Sequence, residues 1–247
     1  MFAKNNNFKK FLKIFLFFPL VFYYGKRSYI AFDEGFYALQ ARWIIEKGNW
    51  IIPLWWDEYV LDRTNGIQIL IAKSQEIFGK NMFAAYLPTT IAAILMLFIT
   101  YKLHEEFFGK NHAIISPLIL STTYLWFDYS HLATQDLIYS CLVTIGIFSL
   151  VKTKRNKSNF YILLFGIWIG LAFMMKTFLV AVPLVALSPY LFTKKDLIFS
   201  KIFWLGLIIG FIPYCVWAYN LNSYLEQNIF FYLFEKLNNL STNNNFT

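Results

Sequence analysis

Two acidic sites and a few cations are the residues of this chain whose types and spacing suit chemistry. Asp33 and Glu34 stand together just beyond the first apolar run, and Asp136 follows His131 and Gln135 in a short segment without Lys or Arg. Carboxylates at a bilayer edge are costly unless hydrated or paired, so acidic groups presented to one side from separate helices fit a site that takes a proton from an acceptor. Plain helix capping fits them too: Asp33 before a helix beginning at Glu34, and Thr134 or Asp136 at the start of the next long run, each worth about 1 kcal/mol. Arg63 lies in the polar turn Leu61-Asp62-Arg63-Thr64-Asn65-Gly66. A guanidinium and backbone N–H groups at such a helix start suit a phosphate, while a surface pair with Asp62 or Glu58, worth about 0–1 kcal/mol, is the commoner arrangement. Lys176, in Met174-Met175-Lys176-Thr177-Phe178, either snorkels outward or meets an anion. Arg42 is a further candidate for donor phosphate binding, with simple exposure to water as its alternative, and Arg27 with Lys26 suits anchorage to lipid headgroups.

Other chemistries lack their signatures. The chain contains no GxGxxG, Walker A, HExxH or GxSxG pattern. His104, His112 and His131 are too dispersed for a metal site by spacing, and Cys141 and Cys215 each sit inside an apolar run, where a thiol behaves as a small hydrophobe. No metal ligand set is therefore assigned, and no cofactor beyond an optional divalent ion.

The elements that must position these residues are membrane helices. Of 247 residues 58% are hydrophobic and only 15% charged, with a mean hydropathy of +0.48, too apolar for a soluble domain. The formal charge of +8 is scattered between apolar runs rather than gathered in a patch, which argues against nucleic acid. Phe, Ile, Asn, Lys and Tyr are all frequent, as AT-rich coding favours, so the four arginines beside 18 lysines are informative, and three of the four fall in one loop.

The apolar runs predict an all-α polytopic protein with about seven transmembrane helices, near residues 8–24, 83–103, 113–127, 137–151, 160–175, 178–192 and 202–220. With the N-terminus cytoplasmic, the cytoplasmic segments hold 13 basic residues against three acidic ones, and the other side holds nine against 11. The chain is thus expected to be multi-pass in the cytoplasmic membrane with its acidic sites outside. Residues 1–220 form the membrane part and 221–247 a polar extracytoplasmic tail. The long first outer loop, 25–82, carries two amphipathic patterns, Phe36, Leu39 and Trp43, then Ile67, Leu70, Ile71 and Phe78 opposite Gln68, Lys73 and Gln75. Both read as helices on the membrane surface, with Trp43, Trp50, Trp55 and Trp56 at headgroup depth.

In order along the chain, these residues resemble the N-terminal part of a GT-C glycosyltransferase of the PMT type, the group that includes protein O-mannosyltransferases and lipid A aminoarabinose transferases. Asp33-Glu34-Gly35-Phe36-Tyr37-Ala38 resembles its Asp-Glu-x-x-Tyr-Ala element, and Gly48-Asn49-Trp50-Ile51-Ile52-Pro53 its Gly-Asp/Asn-Trp-x-x-Pro element. Arg63-Thr64-Asn65-Gly66 occupies the place of a Lys-Pro-Pro-Leu turn, and Phe78-Gly79, Leu87-Pro88, Gln135-Asp136 and Gly170-Leu171-Ala172-Phe173-Met174-Met175-Lys176 match later landmarks. Arg63 keeps a cation where many members have Lys, whereas Tyr86 removes the charge many members carry before Leu-Pro. The resemblance covers roughly Phe8 to Asn220.

It implies transfer of a hexosyl or pentosyl group from a polyprenyl-phosphate donor to a lipid, glycan or protein acceptor outside the membrane. Asp33 is then the base or essential acid, Glu34 and Asp136 organise the site, and Arg63, Lys176 and Arg42 meet the donor phosphate. Members are usually longer, so the sequence reads as a truncated or split chain, with a downstream-encoded second half as a further partner beside membrane lipids. The competing expectations are a non-catalytic subunit or remnant, and a small lipid or solute transporter, although no internal repeat supports the latter.

Overall fold

A computed structural model describes residues 17–19, 28–29, 33–52, 54–55, 58–60, 63–155, 158–225 and 228–242. Most of the first expected helix (8–24), and Lys26, Arg27, Trp56 and Asp62, lie outside them. The described chain is helical apart from one small antiparallel ribbon, β1 (Leu54–Trp55) with β2 (Glu58–Tyr59), in which Leu54 faces Tyr59 and Trp55 faces Glu58.

The outer loop forms two helices, α1 (Asp33–Lys47) and α2 (Gly66–Phe78). Tyr37, Ala41 and Ile44 of α1 and Ile67, Ile71 and Ala72 of α2 share one core with Ala85, Tyr86 and Cys141 from the bundle below. The buried face of α1 is therefore neighbour to the expected Phe36-Leu39-Trp43 stripe, whose residues are half-buried, with the Phe36 and Trp43 rings 4.7 and 6.1 Å from that of Trp55. In α2, Gln68 and Gln75 are buried rather than facing water; for Gln68 the reason is a polar contact with α1, its Nε2 donating to Gln40 Oε1 at 2.8 Å.

The bundle begins with α3 (Met82–Phe108), about 40 Å long, whose first turn is capped by Asn81 Oδ1 accepting from Ala84 N at 2.9 Å. The expected helix 113–127 is two short pieces, α4 (Ile115–Thr122) and α5 (Tyr124–Tyr129). Three successive hydroxyls explain the break: Ser121, Thr122 and Thr123 donate to the carbonyls of Leu118, Ile119 and Leu120 at 2.7–2.8 Å, and Thr123 turns extended.

Then follow α6 (Gln135–Arg155) and α7 (Asn159–Lys176). Thr177, at φ +46°, ends α7; a 3₁₀ turn (Thr177–Val180) leads to α8 (Ala181–Thr193), only 13 residues long, and short α9 (Lys195–Ile198) precedes α10 (Lys201–Leu225). Among the described residues, four stretches are long and apolar enough to cross a membrane: 82–108, 135–153, 159–193 and 201–223. The chain is thus a polytopic helical membrane protein, and of the six expected runs that lie within the described residues two are broken or short.

The tightest seam joins α7 to α10. A Cβ on Gly166 would lie 2.4 Å from Phe203 O, on Gly170 2.2 Å from the carbonyl carbon of Gly210, and on Gly206 2.2 Å from Leu163 O, so backbone meets backbone across two GxxxG faces. At the far end of the chain, residues expected as a polar tail carry α11 (Ile229–Thr242), which buries Ile229 and Leu233 against the core around Trp217 and Leu221.

Candidate functional site

At one end of the bundle, four segments bring together the residues singled out from sequence. Asp33 opens α1 with its side chain 63% exposed, and Arg63 Nη1, just before α2, lies 3.6 Å from Asp33 Oδ1. Arg63 also donates to the Tyr37 hydroxyl, and its guanidinium sits 5.7 and 5.5 Å from the ring centroids of Phe36 and Tyr37. A planar cation is thus held by one turn of α1 with an edge toward the carboxylate. Burial pushes the Tyr37 phenol up to about 12 although the Arg63 charge opposes it, so this hydroxyl stays protonated through the physiological range.

Opposite them, Asp136 in the first turn of α6 forms an ion pair with Lys176 at the last turn of α7. Lys176 Nζ lies 5.8 Å from the Tyr139 ring, and Tyr139 donates its hydroxyl to Leu179 O at 3.0 Å, across the 3₁₀ turn. The negative charge of Asp136 bears on Tyr37, which places the two pairs in one electrostatic neighbourhood. The N-terminus of α2 seals the arrangement: a Cβ on Gly66 would lie 2.5 Å from Met174 O of α7, so glycine permits the Arg63 turn to rest on the end that carries Lys176.

The turn itself is stapled from both sides. Asn65 Nδ2 donates to Trp50 O and Ile51 O at 3.2 and 3.1 Å, Asn49 Oδ1 accepts from Ile51 N and Ile52 N at 3.1 Å, and Trp217 Nε1 of α10 donates to Ile51 O at 2.8 Å. Sequence reading passed over Asn65 and Tyr37 as site-building residues, although both lie in the quoted motifs.

Glu34 is buried at 2% exposure and accepts from Ala133 N through Oε1 at 3.1 Å. Arg42 is not brought to the site: it is exposed and donates to Glu46 at 2.8 Å, while Lys80 Nζ meets the same carboxylate at 3.1 Å. Those contacts lower the Glu46 pKa, chiefly through the Arg42 hydrogen bond. Nine helical positions separate residues 42 and 33, a half-turn offset that puts them on opposite faces of α1. Among the described residues no three His, Cys, Asp or Glu side chains gather as they would around a metal ion.

An apolar groove of about 370 Å³ runs between α2, α3 and α6, bounded by Leu70, Phe78, Pro88, Ile91, Ile138 and Leu142, with none of the paired charged residues in its wall. Ile138 follows Asp136 by two positions, about 200° around α6, so the groove lies on the face of that helix turned away from the Asp136–Lys176 pair.

A helical membrane bundle with a carboxylate-and-cation site at one end is the class these features define. Residues 62–219 match the family described as dolichyl-phosphate-mannose-protein mannosyltransferase, and the chain belongs to that family. Among its relatives is the undecaprenyl phosphate-alpha-4-amino-4-deoxy-L-arabinose arabinosyl transferase of Enterobacter sp. (strain 638), 28% identical over 173 residues, which cover 66% of this chain and 31% of the relative. The Yersinia pestis (strain Pestoides F) protein of the same name is 28% identical over 192 residues, 73% of this chain and 34% of its own. The fold is similar to that of ArnT from Cupriavidus metallidurans bound to undecaprenyl phosphate, with a TM-score of 0.77 at 15% identity, over 90% of this chain and 42% of that one. The apo ArnT structure gives 0.73 over 89% and 42%. The chain spans about a third of the length of the curated relatives it matches.

Proposed function

We propose that this chain carries the reacting end of a glycosyltransferase of the cytoplasmic membrane, which moves a hexosyl or pentosyl group from a polyprenyl-phosphate donor to an acceptor on the extracytoplasmic face. The observation that carries the reading is the meeting of two carboxylate–cation pairs, Asp33 with Arg63 and Asp136 with Lys176, from four separate segments at one end of the bundle. Asp33 takes the proton of the acceptor hydroxyl, and the freed oxygen pair attacks the anomeric carbon. The bond from that carbon to the phosphate oxygen breaks, and the polyprenyl phosphate leaves with the bonding electrons. Arg63 and Lys176 meet the leaving charge, as prepositioned donors do for a developing anion. Asp136 keeps Lys176 aimed at that point until phosphate competes for it.

Three further observations support parts of this reading. The apolar groove between α2, α3 and α6 suits a hydrocarbon chain. The excess of basic residues at the other end, where Lys102 pairs with Glu105 and Lys152 with Glu106, favours a cytoplasmic placement of that end. The names of the relatives carry undecaprenyl phosphate and an arabinosyl group. A lipid, glycan or protein acceptor, and a second segment completing the enzyme, belong to the same proposal, as does a membrane unit comprising residues 1–220.

The test is transfer of radiolabelled sugar from polyprenyl-phosphate donors in membranes expressing the protein from its native gene, beside Asp33→Asn. Transfer that falls by at least about a hundredfold in Asp33→Asn supports the reading; transfer that is equal in both, or absent with folded wild-type protein, overturns it.

A further inference from the structure

Glu34 adjoins Asp33 in the chain yet faces a different part of the molecule. Consecutive helical residues point about 100° apart. Asp33 is accordingly exposed toward Arg63, whereas Glu34 is 2% exposed and accepts the Ala133 N–H through Oε1 at 3.1 Å. Ala133 belongs to residues 130–134, which join α5 to α6. This connection is irregular and mostly buried: Ser130 is 1%, Ala133 0% and Thr134 3% exposed. A buried N–H outside any regular ladder needs a partner, and here the partner is the carboxylate of another helix. The same connection receives a second tie from α3, where Thr89 Oγ1 donates to Thr134 O at 3.4 Å. Two residues past Thr134, Asp136 begins its pairing with Lys176.

We propose that Glu34 is a positioning residue: its bond to Ala133 holds the 130–134 connection against α1, and so fixes the Asp136–Lys176 pair relative to the Asp33–Arg63 pair. The adjacent acids then have separate tasks, Asp33 toward the acceptor and Glu34 toward the backbone that delivers the second carboxylate. The catalytic part of this role rests on the glycosyl transfer proposed above, whereas the positional part is measurable without it.

The experiment compares Glu34→Gln with Glu34→Ala in the full-length membrane protein. The glutamine carbonyl still accepts from Ala133, so Glu34→Gln is expected to hold kcat within about threefold of wild type with an unshifted pH profile. Glu34→Ala is expected to lower kcat by about a hundredfold, because a small misplacement of reacting groups is that costly, with a lesser change in KM. A second arm places a reporter at the buried position, Thr134→Cys in a Cys215→Ala background, and measures its rate of reaction with a water-soluble maleimide. The reporter is expected to react about tenfold faster with Glu34→Ala and at the starting rate with Glu34→Gln, as a connection freed to open locally would. An unchanged labelling rate in Glu34→Ala overturns the proposal, and so does a Glu34→Gln enzyme as inactive as Glu34→Ala while position 134 stays protected, since the charge itself would then be needed. If wild type transfers no sugar at all, the functional reading fails and the labelling arm alone decides the role of Glu34.

Discussion

Lys176 and Asp136, forty positions apart, close an ion pair between the last turn of α7 and the first turn of α6, with side chains 20% and 32% exposed. Each stands where the helix dipole favours its charge, the acid at an N-terminus and the base at a C-terminus. Removing one partner leaves the other half-buried and uncompensated, which costs more than removing both. Lys176→Met and Asp136→Asn are each expected to destabilise the detergent-solubilised protein, and the double variant to lose less than the sum. A thermal-unfolding cycle with additive losses would show that the two residues are not coupled.

Arg63 is held by geometry as well as by charge, so lysine is not an equivalent replacement. Arg63→Lys is expected to lower kcat severalfold and Arg63→Ala by more than about tenfold, each with a smaller effect on the donor KM. Steady-state transfer at varied donor concentration checks this; an Arg63→Lys enzyme with wild-type kcat would remove the guanidinium plane from the account.

The Tyr37 phenol gives a pH signature of the buried turn. Its folded value, about 12, lies above the ordinary 10, so the neutral form is preferred in the fold. The associated stability is present below pH 10 and is lost as pH rises from 10 through 12. Wild type should therefore lose stability relative to Tyr37→Phe across that window, in unfolding measured at fixed detergent, and an ultraviolet phenolate titration should lose one late-titrating tyrosine in the variant. A pH-independent difference between the two proteins would contradict the assignment.

The glycine seam makes the sharpest stability prediction. A methyl group at Gly170 would stand 2.2 Å from backbone, which no rotamer change relieves. Gly170→Ala is expected to cost more than about 3 kcal/mol, beyond ordinary overpacking, through separation of α7 from α10. Unfolding temperature and monodispersity in detergent report it directly, and a variant as stable as wild type would mean the two helices are not in backbone contact.

How much of this was legible in the sequence differs residue by residue. Asp33, Asp136, Arg63 and Lys176 were placed at one end because hydropathy sets helix limits and basic residues set their polarity, and both signals are local. Their pairing was not legible, since the sequence sorted carboxylates and cations into separate roles whereas the fold crosses them. For Arg42 helical periodicity alone carries the signal, since nine positions turn it from Asp33 toward its pairing with Glu46. Gly166, Gly170, Gly206 and Gly210 also carried an unread signal, two GxxxG spacings in runs long enough to span. The breaks at Thr123 and Thr177 belong to hydroxyl–carbonyl contacts and to a turn that tertiary packing holds, which apolar composition does not encode.

The backbone-to-backbone seam also divides mechanical labour within the protein. Joined by backbone contact at their glycines and by aromatic pairs such as Phe165–Phe203 and Phe173–Tyr214 beside it, α7 and α10 act as one beam, and Lys176 rides at its tip as a fixed landmark. Asp33 and Arg63 instead hang from α1 and α2, joined to each other through the Gln40–Gln68 amide contact and tethered by a loop of hydrogen bonds. In the proposed transfer the beam sets the position of Lys176, and the α1–α2 unit, resting on it where Gly66 meets Met174 O and where Trp217 holds Ile51 O, sets Asp33 and Arg63 against it.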